Sequence, residues 1–169
     1  MIILGIDPGS RVTGFGLVQT SGDSYRYVDS GIIRISLIDN FPQRLGALFK
    51  AMDSLLEEYQ PDAIAIEKVF VSRSAVSALK LGQARGAAIA ACVARGAPVF
   101  EYASTEVKKA IVGRGHARKE QVQYMVKVLL SLKDEPQSDA ADALAMAMTH
   151  GHLGTLNTTI RQNRNPELV

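Results

Sequence analysis

Four carboxylates in this chain stand where an acid is costly unless something offsets its charge. Asp7 closes the apolar run "IILGI" and is followed at once by "PGS". Glu67 closes a second apolar run, "AIAI", and Asp139 and Asp142 lie three residues apart in "SDAADALA". Acids three apart on a helix share one face, with their Cβ atoms about 5 to 6 Å apart. Brought together, the four would repel and raise one another's pKa unless cations sat among them. Hard oxygen donors without Cys or His select Mg²⁺ or Mn²⁺. Two such ions about 3.5 to 4 Å apart clamp a phosphodiester, one activating the attacking water and the other stabilising the leaving oxygen. Each acid also has a plainer reading: Asp7 as a turn former, Asp139 and Asp142 as N-cap and first-turn acids, and Glu67 as a surface partner of Lys68. Turn and cap chemistry does not explain why all four recur beside a strongly basic stretch.

The elements that must position them follow from periodicity. Residues 2–7, "VTGFGLVQT" and "YRYVDSGIIRIS" read as three strands joined by short turns, an antiparallel meander. From Pro42 to Tyr59, Leu45, Leu48, Phe49, Met52, Leu55, Leu56 and Tyr59 recur at helical spacing. "AIAIE" has no hydrophilic face, as befits a central parallel strand. "SAVSALKLGQARGAAIAACVAR" reads as a helix, "PVFEYA" as a fifth strand, and "STEVKKAIV" as a helix with Ser104 or Thr105 as candidate cap. A basic loop and amphipathic helix span "GRGHARKEQVQYMVKVLLSL", and "DAADALAMAMTHGH" is rich in helix formers. The predicted fold is α/β, a five-stranded mixed sheet with helices on both faces. Residues 1–152 form one domain and 153–169 a polar, irregular, mobile tail. In open α/β sheets ligands bind beyond the carboxyl ends of the strands, where Asp7 and Glu67 lie.

Composition narrows the function classes. Hydrophobic residues make up 47% and charged residues 21% of 169, which excludes disorder. The longest wholly apolar run, Ala87 to Ala94, falls far short of the roughly 20 residues a membrane helix needs, and no leader is legible before Ile2. The expected location is the cytoplasm. Cys92 is the sole cysteine, and His116, His150 and His152 lack zinc spacing. Net charge is only +2, yet Lys68 to Lys133 hold twelve Lys or Arg against three acids, while the remainder holds seven against fourteen. Such segregation favours a polyanionic partner, nucleic acid first.

At this point six segments, "ILGIDPGSRVTGFG", "QPDAIAIEKVF", "ALKLGQARG", "VFEYA", "VKKAIVGRGHARKEQV" and "SDAADALAMAMTH", together resemble the RuvC Holliday-junction resolvases of bacteria, in order and at the expected spacing. The resemblance covers Ile2 to about His152. It implies a ribonuclease H-like fold, a homodimer, and Mg²⁺-dependent symmetric nicking of four-way DNA junctions in recombination and repair, with two ions per site and Mn²⁺ as a substitute. It also implies partnership with the RuvA and RuvB branch-migration proteins. Carried over residue by residue, Asp7, Glu67, Asp139 and Asp142 fall on the metal-binding acids. Lys108 and Lys119 fall on lysines near the scissile phosphate, where a cation steadies developing charge. Phe70 matches an aromatic that contacts bases at the opened junction centre; its plainer reading is a core phenylalanine. Arg73, Lys80, Arg85, Lys109, Arg114 and Arg118 are further candidate DNA contacts. Ala78, Gly82, Gly86 and Ala90 form a smooth helical seam that either packs on its own sheet or, as the resemblance favours, meets its twin across a two-fold axis. Other readings are a lobe of an actin-like ATPase or sugar kinase, which needs two such lobes, a related nuclease acting on RNA or RNA–DNA hybrid, and a non-catalytic junction-binding module.

Overall fold

The computed structural model describes residues 1–22, 24–68 and 74–164, with side chains described through residue 154. Strands β1 (Ile2–Asp7), β2 (Val12–Ser21) and β3 (Ser24–Arg34) precede helix α1 (Phe41–Tyr59) and β4 (Ala63–Glu67). Then follow α2 (Ala75–Ala94), β5 (Val99–Tyr102), α3 (Ser104–Val112), α4 (Lys119–Leu129) and α5 (Ser138–Arg164). The sheet order is β3-β2-β1-β4-β5. The first three strands form the antiparallel meander, and β1, β4 and β5 run parallel. The five-stranded mixed sheet is therefore as the sequence predicts.

Two cores lie on its two faces. Leu4, Ile6, Leu17, Ile64 and Ile66 pack against Leu48, Met52 and Leu56 of α1 and Ala84, Ala88, Ala91 and Cys92 of α2. Ile3, Val18 and Ala65 meet Val107 and Ile111 of α3, Val122 and Val126 of α4, and Leu144 to Met148 of α5. Alternation along the strands sorts one set from the other, because successive side chains point to opposite faces. The buried Cys92 thiol has its pKa pushed up to about 12 by desolvation, so it is an inert core residue.

Helix boundaries follow local chemistry. The Asn40 side chain accepts the Gln43 N–H at 3.1 Å at the start of α1, with Pro42 in the first turn, and Gln60 ends the helix in a left-handed conformation (φ 43°). Helix α3 departs from expectation. Neither Ser104 nor Thr105 caps it; both lie inside the helix, Ala103 holds the cap position, and the Glu106 carboxylate accepts the Ala103 N–H at 2.7 Å. Irregular chain is expected from Leu153, whereas the backbone of α5 continues helical to Arg164. Among the described residues no helix is long and apolar enough to cross a membrane. Phe70 and Arg73 lie outside the described residues.

Candidate active site

Strand register brings the first two acids together. The parallel β1–β4 ladder pairs Ile6 with Ile66, so Asp7 and Glu67 occupy adjoining strand tips one residue further on. Both point to the face covered by α5. Gly5 abuts α5 and Ala65 packs in the same core layer, and Asp7 and Glu67 are two residues on from each.

Helix α5 supplies the other pair by lying unusually close to the sheet. A Cβ at Gly5 would overlap the Ala143 carbonyl oxygen, and one at Gly14 would overlap the Asp139 carbonyl oxygen. Since Gly14 is the antiparallel partner of Asp7, the first turn of α5 stands directly beside the tip of β1. Oxygens of Asp7, Asp139 and Asp142 accordingly lie within 4.8 Å of one another, all three residues being half-buried. The positive end of the helix favours the carboxylates it carries.

Glu67 completes one wall of a cleft of about 330 Å³ lined by Asp7, Ser104, Lys108, Lys119, Asp142 and the apolar side chains of Val107, Val122, Ala145 and Met146. Lys119 reaches into the acids from the start of α4, its Nζ 2.6 Å from Asp142 Oδ2. A cation in the first turn of a helix opposes the helix dipole, so local propensity does not explain it; the acid cluster does. Burial disfavours the Lys119 charge, but the Asp142 contact and the fields of Asp7 and Asp139 outweigh it and hold the ammonium above its ordinary pKa.

The cost of the cluster falls on Asp7. Desolvation, then Asp142, Glu67 and Asp139, push its pKa up to about 7, with Lys119 opposing. Glu67 is raised by burial and Asp142, with Lys119, Lys108 and a hydrogen bond from Ser104 opposing. Two ammonium groups, Lys119 and Lys108, do not compensate four carboxylates. The donor set, all hard oxygen within coordination reach, fits a divalent cation.

Two residues named from the sequence in other roles also make supporting contacts at the site. Ser104 serves Glu67 instead of a helix terminus; its place just after β5, whose Tyr102 pairs with Glu67, is the signal. Arg85 donates from Nε to the Glu67 carbonyl oxygen at 3.0 Å and pairs with the Glu101 carboxylate, so it braces the tip of β4. Lys80 is exposed and lies over the Phe41 ring, 5.6 Å from its centroid. Lys109, Arg114 and Arg118 are exposed near the 113–118 loop and form no ion pair among the described residues.

This geometry coincides with a family-wide match. Residues 3–150 fit the family model for crossover junction endodeoxyribonuclease RuvC. A protein of that name from Cronobacter sakazakii is 52% identical over 163 residues, covering 96% of this chain and 94% of its own. The Geobacter sulfurreducens protein is 50% identical over 164 residues, 97% of this chain and 100% of its own. Among solved structures, Thermus thermophilus RuvC in complex with a Holliday junction superposes with a TM-score of 0.88 at 36% identity, covering 94% and 97% of the two chains. The yeast mitochondrial Holliday junction resolvase shares the fold at 14% identity, with a TM-score of 0.71 over 96% of this chain and 83% of its own. The four acids thus stand in a chain that belongs to the RuvC family of crossover junction endodeoxyribonucleases.

Proposed function

We propose that this chain is a Holliday-junction resolvase that hydrolyses a phosphodiester at the cleft of Asp7, Glu67, Asp139 and Asp142, leaving a 5'-phosphate and a 3'-hydroxyl. The observation that carries this reading is the convergence of three carboxylates within 4.8 Å, at a strand tip and a helix start, in a chain of this family. The four acids are the ligands for Mg²⁺, with two ions expected and Mn²⁺ able to substitute. When bound, these ions supply an activated water and neutralise charge on the leaving oxygen.

The chain's own residues do the rest. Asp142 holds the Lys119 ammonium at the mouth of the acids, where it is placed to donate to a phosphate oxygen. Lys108 lines the same cleft and adds a second positive field at Glu67. Donors aimed at oxygens that gain charge in the transition state stabilise it more than the ground state. The exposed Lys109, Arg114 and Arg118, with Lys80, extend a positive surface along which DNA backbone lies. Phe70 and Arg73 belong to the same proposed contact surface by family resemblance.

A homodimer is part of the proposal. Gly82, Gly86 and Ala90 of α2 face outward, and a Cβ at either glycine meets nothing within 4 Å, so the seam is not packed on its own sheet. Exposed Val76, Leu79 and Val93 extend this apolar face. Work alongside RuvA and RuvB, in the cytoplasm, is proposed from family membership.

The test is incubation with end-labelled four-way junction, plain duplex and RNA–DNA hybrid, in Mg²⁺ or Ca²⁺. Paired nicks in the junction with Mg²⁺ are expected, and Asp7→Asn should bind the junction without cutting it. Cleavage of the hybrid or duplex at a rate matching the junction, or full junction cleavage by Asp7→Asn, overturns the assignment.

A further inference from the structure

The positive surface described so far lies on the β5 side of the acids, in α3, α4 and the loop between them. The opposite flank, where β2 begins and β3 ends, carries two arginines with no role assigned above. Val12 pairs with Arg34, and the neighbouring pairs Gly14–Ile32 and Gly16–Ser30 share that alternation. Gly14 and Gly16 abut α5, so Arg34 rises from the sheet face that carries Asp7 and Asp139. It is exposed because α5 begins over Gly14 and leaves the strand ends beyond it uncovered.

Register fixes the span. Asp7, Gly14 and Ile32 lie abreast, and Arg34 is two residues further out. Two interstrand steps of about 4.8 Å and two residues of about 3.4 Å put its Cα about 12 Å from that of Asp7. Arg11 sits beside it, exposed, in the turn that follows Asp7. This corner is tied down. The Arg11 carbonyl accepts the Ile35 N–H at 3.0 Å, the Ile35 carbonyl accepts the Ile38 N–H at 3.3 Å, and the Ile38 carbonyl accepts from the Arg44 guanidinium. Neither Arg11 nor Arg34 forms an ion pair among the described residues, and the nearby Asp39 forms none either. Arg34 thus stands on the acids' own face, and Arg11 is in the turn beside it; together they put two exposed guanidinium groups, without ion pairs among the described residues, on one braced rim, the residue type that binds phosphate best.

We propose that Arg11 and Arg34 form a second phosphate-binding rim that grips the strand being cut, roughly two to four nucleotides from the scissile bond, on the side of the acids away from Lys108 and Lys119. The strand is then held on both sides of the metal-binding acids. One-sided contact fixes only position; two-sided contact also fixes the direction in which the strand crosses them. The inference rests on the junction-resolvase reading.

The experiment measures junction affinity by fluorescence anisotropy in Ca²⁺ across a salt series, for the wild-type protein, Arg11→Ala/Arg34→Ala and Arg11→Lys/Arg34→Lys. The double alanine variant should bind about ten-fold more weakly, with a log–log salt slope shallower by about two, and the lysine variant should keep the slope. A single neutral methylphosphonate placed two to four nucleotides from the cut should weaken wild-type binding but not that of the alanine variant. An unchanged slope, or equal sensitivity of both proteins to the methylphosphonate, overturns the proposal. Failure of the wild-type protein to prefer junction over duplex would instead overturn the reading on which it rests. Circular dichroism of each variant separates lost contact from lost fold.

Discussion

Asp7 is where folding and function conflict most directly. Its carboxyl has a pKa of about 7 in the fold against an ordinary value of 3.8, with burial the largest cause and three neighbouring acids adding to it. The folded state therefore holds a proton that the unfolded chain releases between those two pH values. Unfolding is favoured as pH rises through the window, and the penalty is complete above about pH 7. Asp7→Asn removes it. In EDTA at pH 8 this variant should be more stable than the wild type, by up to about 4 kcal/mol, with the difference fading as pH falls toward 4. Saturating Mg²⁺ should erase the advantage, since a divalent cation held by these acids, as proposed, would bind the folded wild type and keep its carboxylates ionised. Thermal melts at pH 4, 6 and 8, with and without Mg²⁺, check this; a destabilised Asp7→Asn at pH 8 in EDTA would show that the acid is not strained. Glu67 shares the strain but is better served, having Lys119, Lys108 and Ser104 to oppose its burial.

At the scale of elements, the site depends on how closely α5 lies on the sheet. Gly14 permits that approach beside Asp7, because the Asp139 carbonyl oxygen occupies the space a Cβ would take. Gly14→Ala should therefore lift the start of α5, cost about 1 to 3 kcal/mol and separate Asp139 from Asp7. A displacement near 1 Å lowers the cleavage rate by about 100-fold. Gly46→Ala is the matching control, since its Cβ meets nothing within 4 Å on α1 and the change should stabilise the helix. Parallel melts and single-turnover cleavage rates check both; a Gly14→Ala enzyme of normal rate would rule out the tight apposition. The four acids and all ten elements were legible in the sequence, because strand alternation and helical spacing are local patterns. Three features were not. Ser104 looked like a cap because only the pairing of β5 with β4 brings it to Glu67. The brace that Arg85 gives β4 was hidden because its partners, Glu101 and the Glu67 carbonyl, come from two other strands. Helix α5 looked finished at His152, yet extending a helix costs little once it is nucleated, and no proline intervenes before Pro166.

For the whole molecule, the excess of twelve basic residues over three acids between Lys68 and Lys133 maps onto the elements from the end of β4 through α4 and the turn beyond it. That half of the fold also contains α2, whose inward face of Ala84, Ala88, Ala91 and Cys92 is buried and whose outward face is apolar and smooth. An uncovered Val76, Leu79 and Val93, 60 to 65% exposed beside two glycines, is a poor surface for a monomer and a good one for close helix contact. A four-way junction presents two strands of like polarity, so an isologous pair of subunits places one set of acids at each. Gly86→Glu separates the monomer's needs from the dimer's. Within one chain the substitution meets open space and should raise helix stability by up to about 1 kcal/mol, because glycine is the poorer helix former. Across a two-fold seam it would bury a carboxylate against its twin, which close contact does not tolerate. Sedimentation should therefore show the wild type at twice the chain's mass of 18.2 kDa and Gly86→Glu at that mass, with unchanged far-ultraviolet circular dichroism. The paired nicks of the wild type should become independent single nicks. A Gly86→Glu protein that stays dimeric and cuts both strands in concert would place the two-fold contact elsewhere on the molecule.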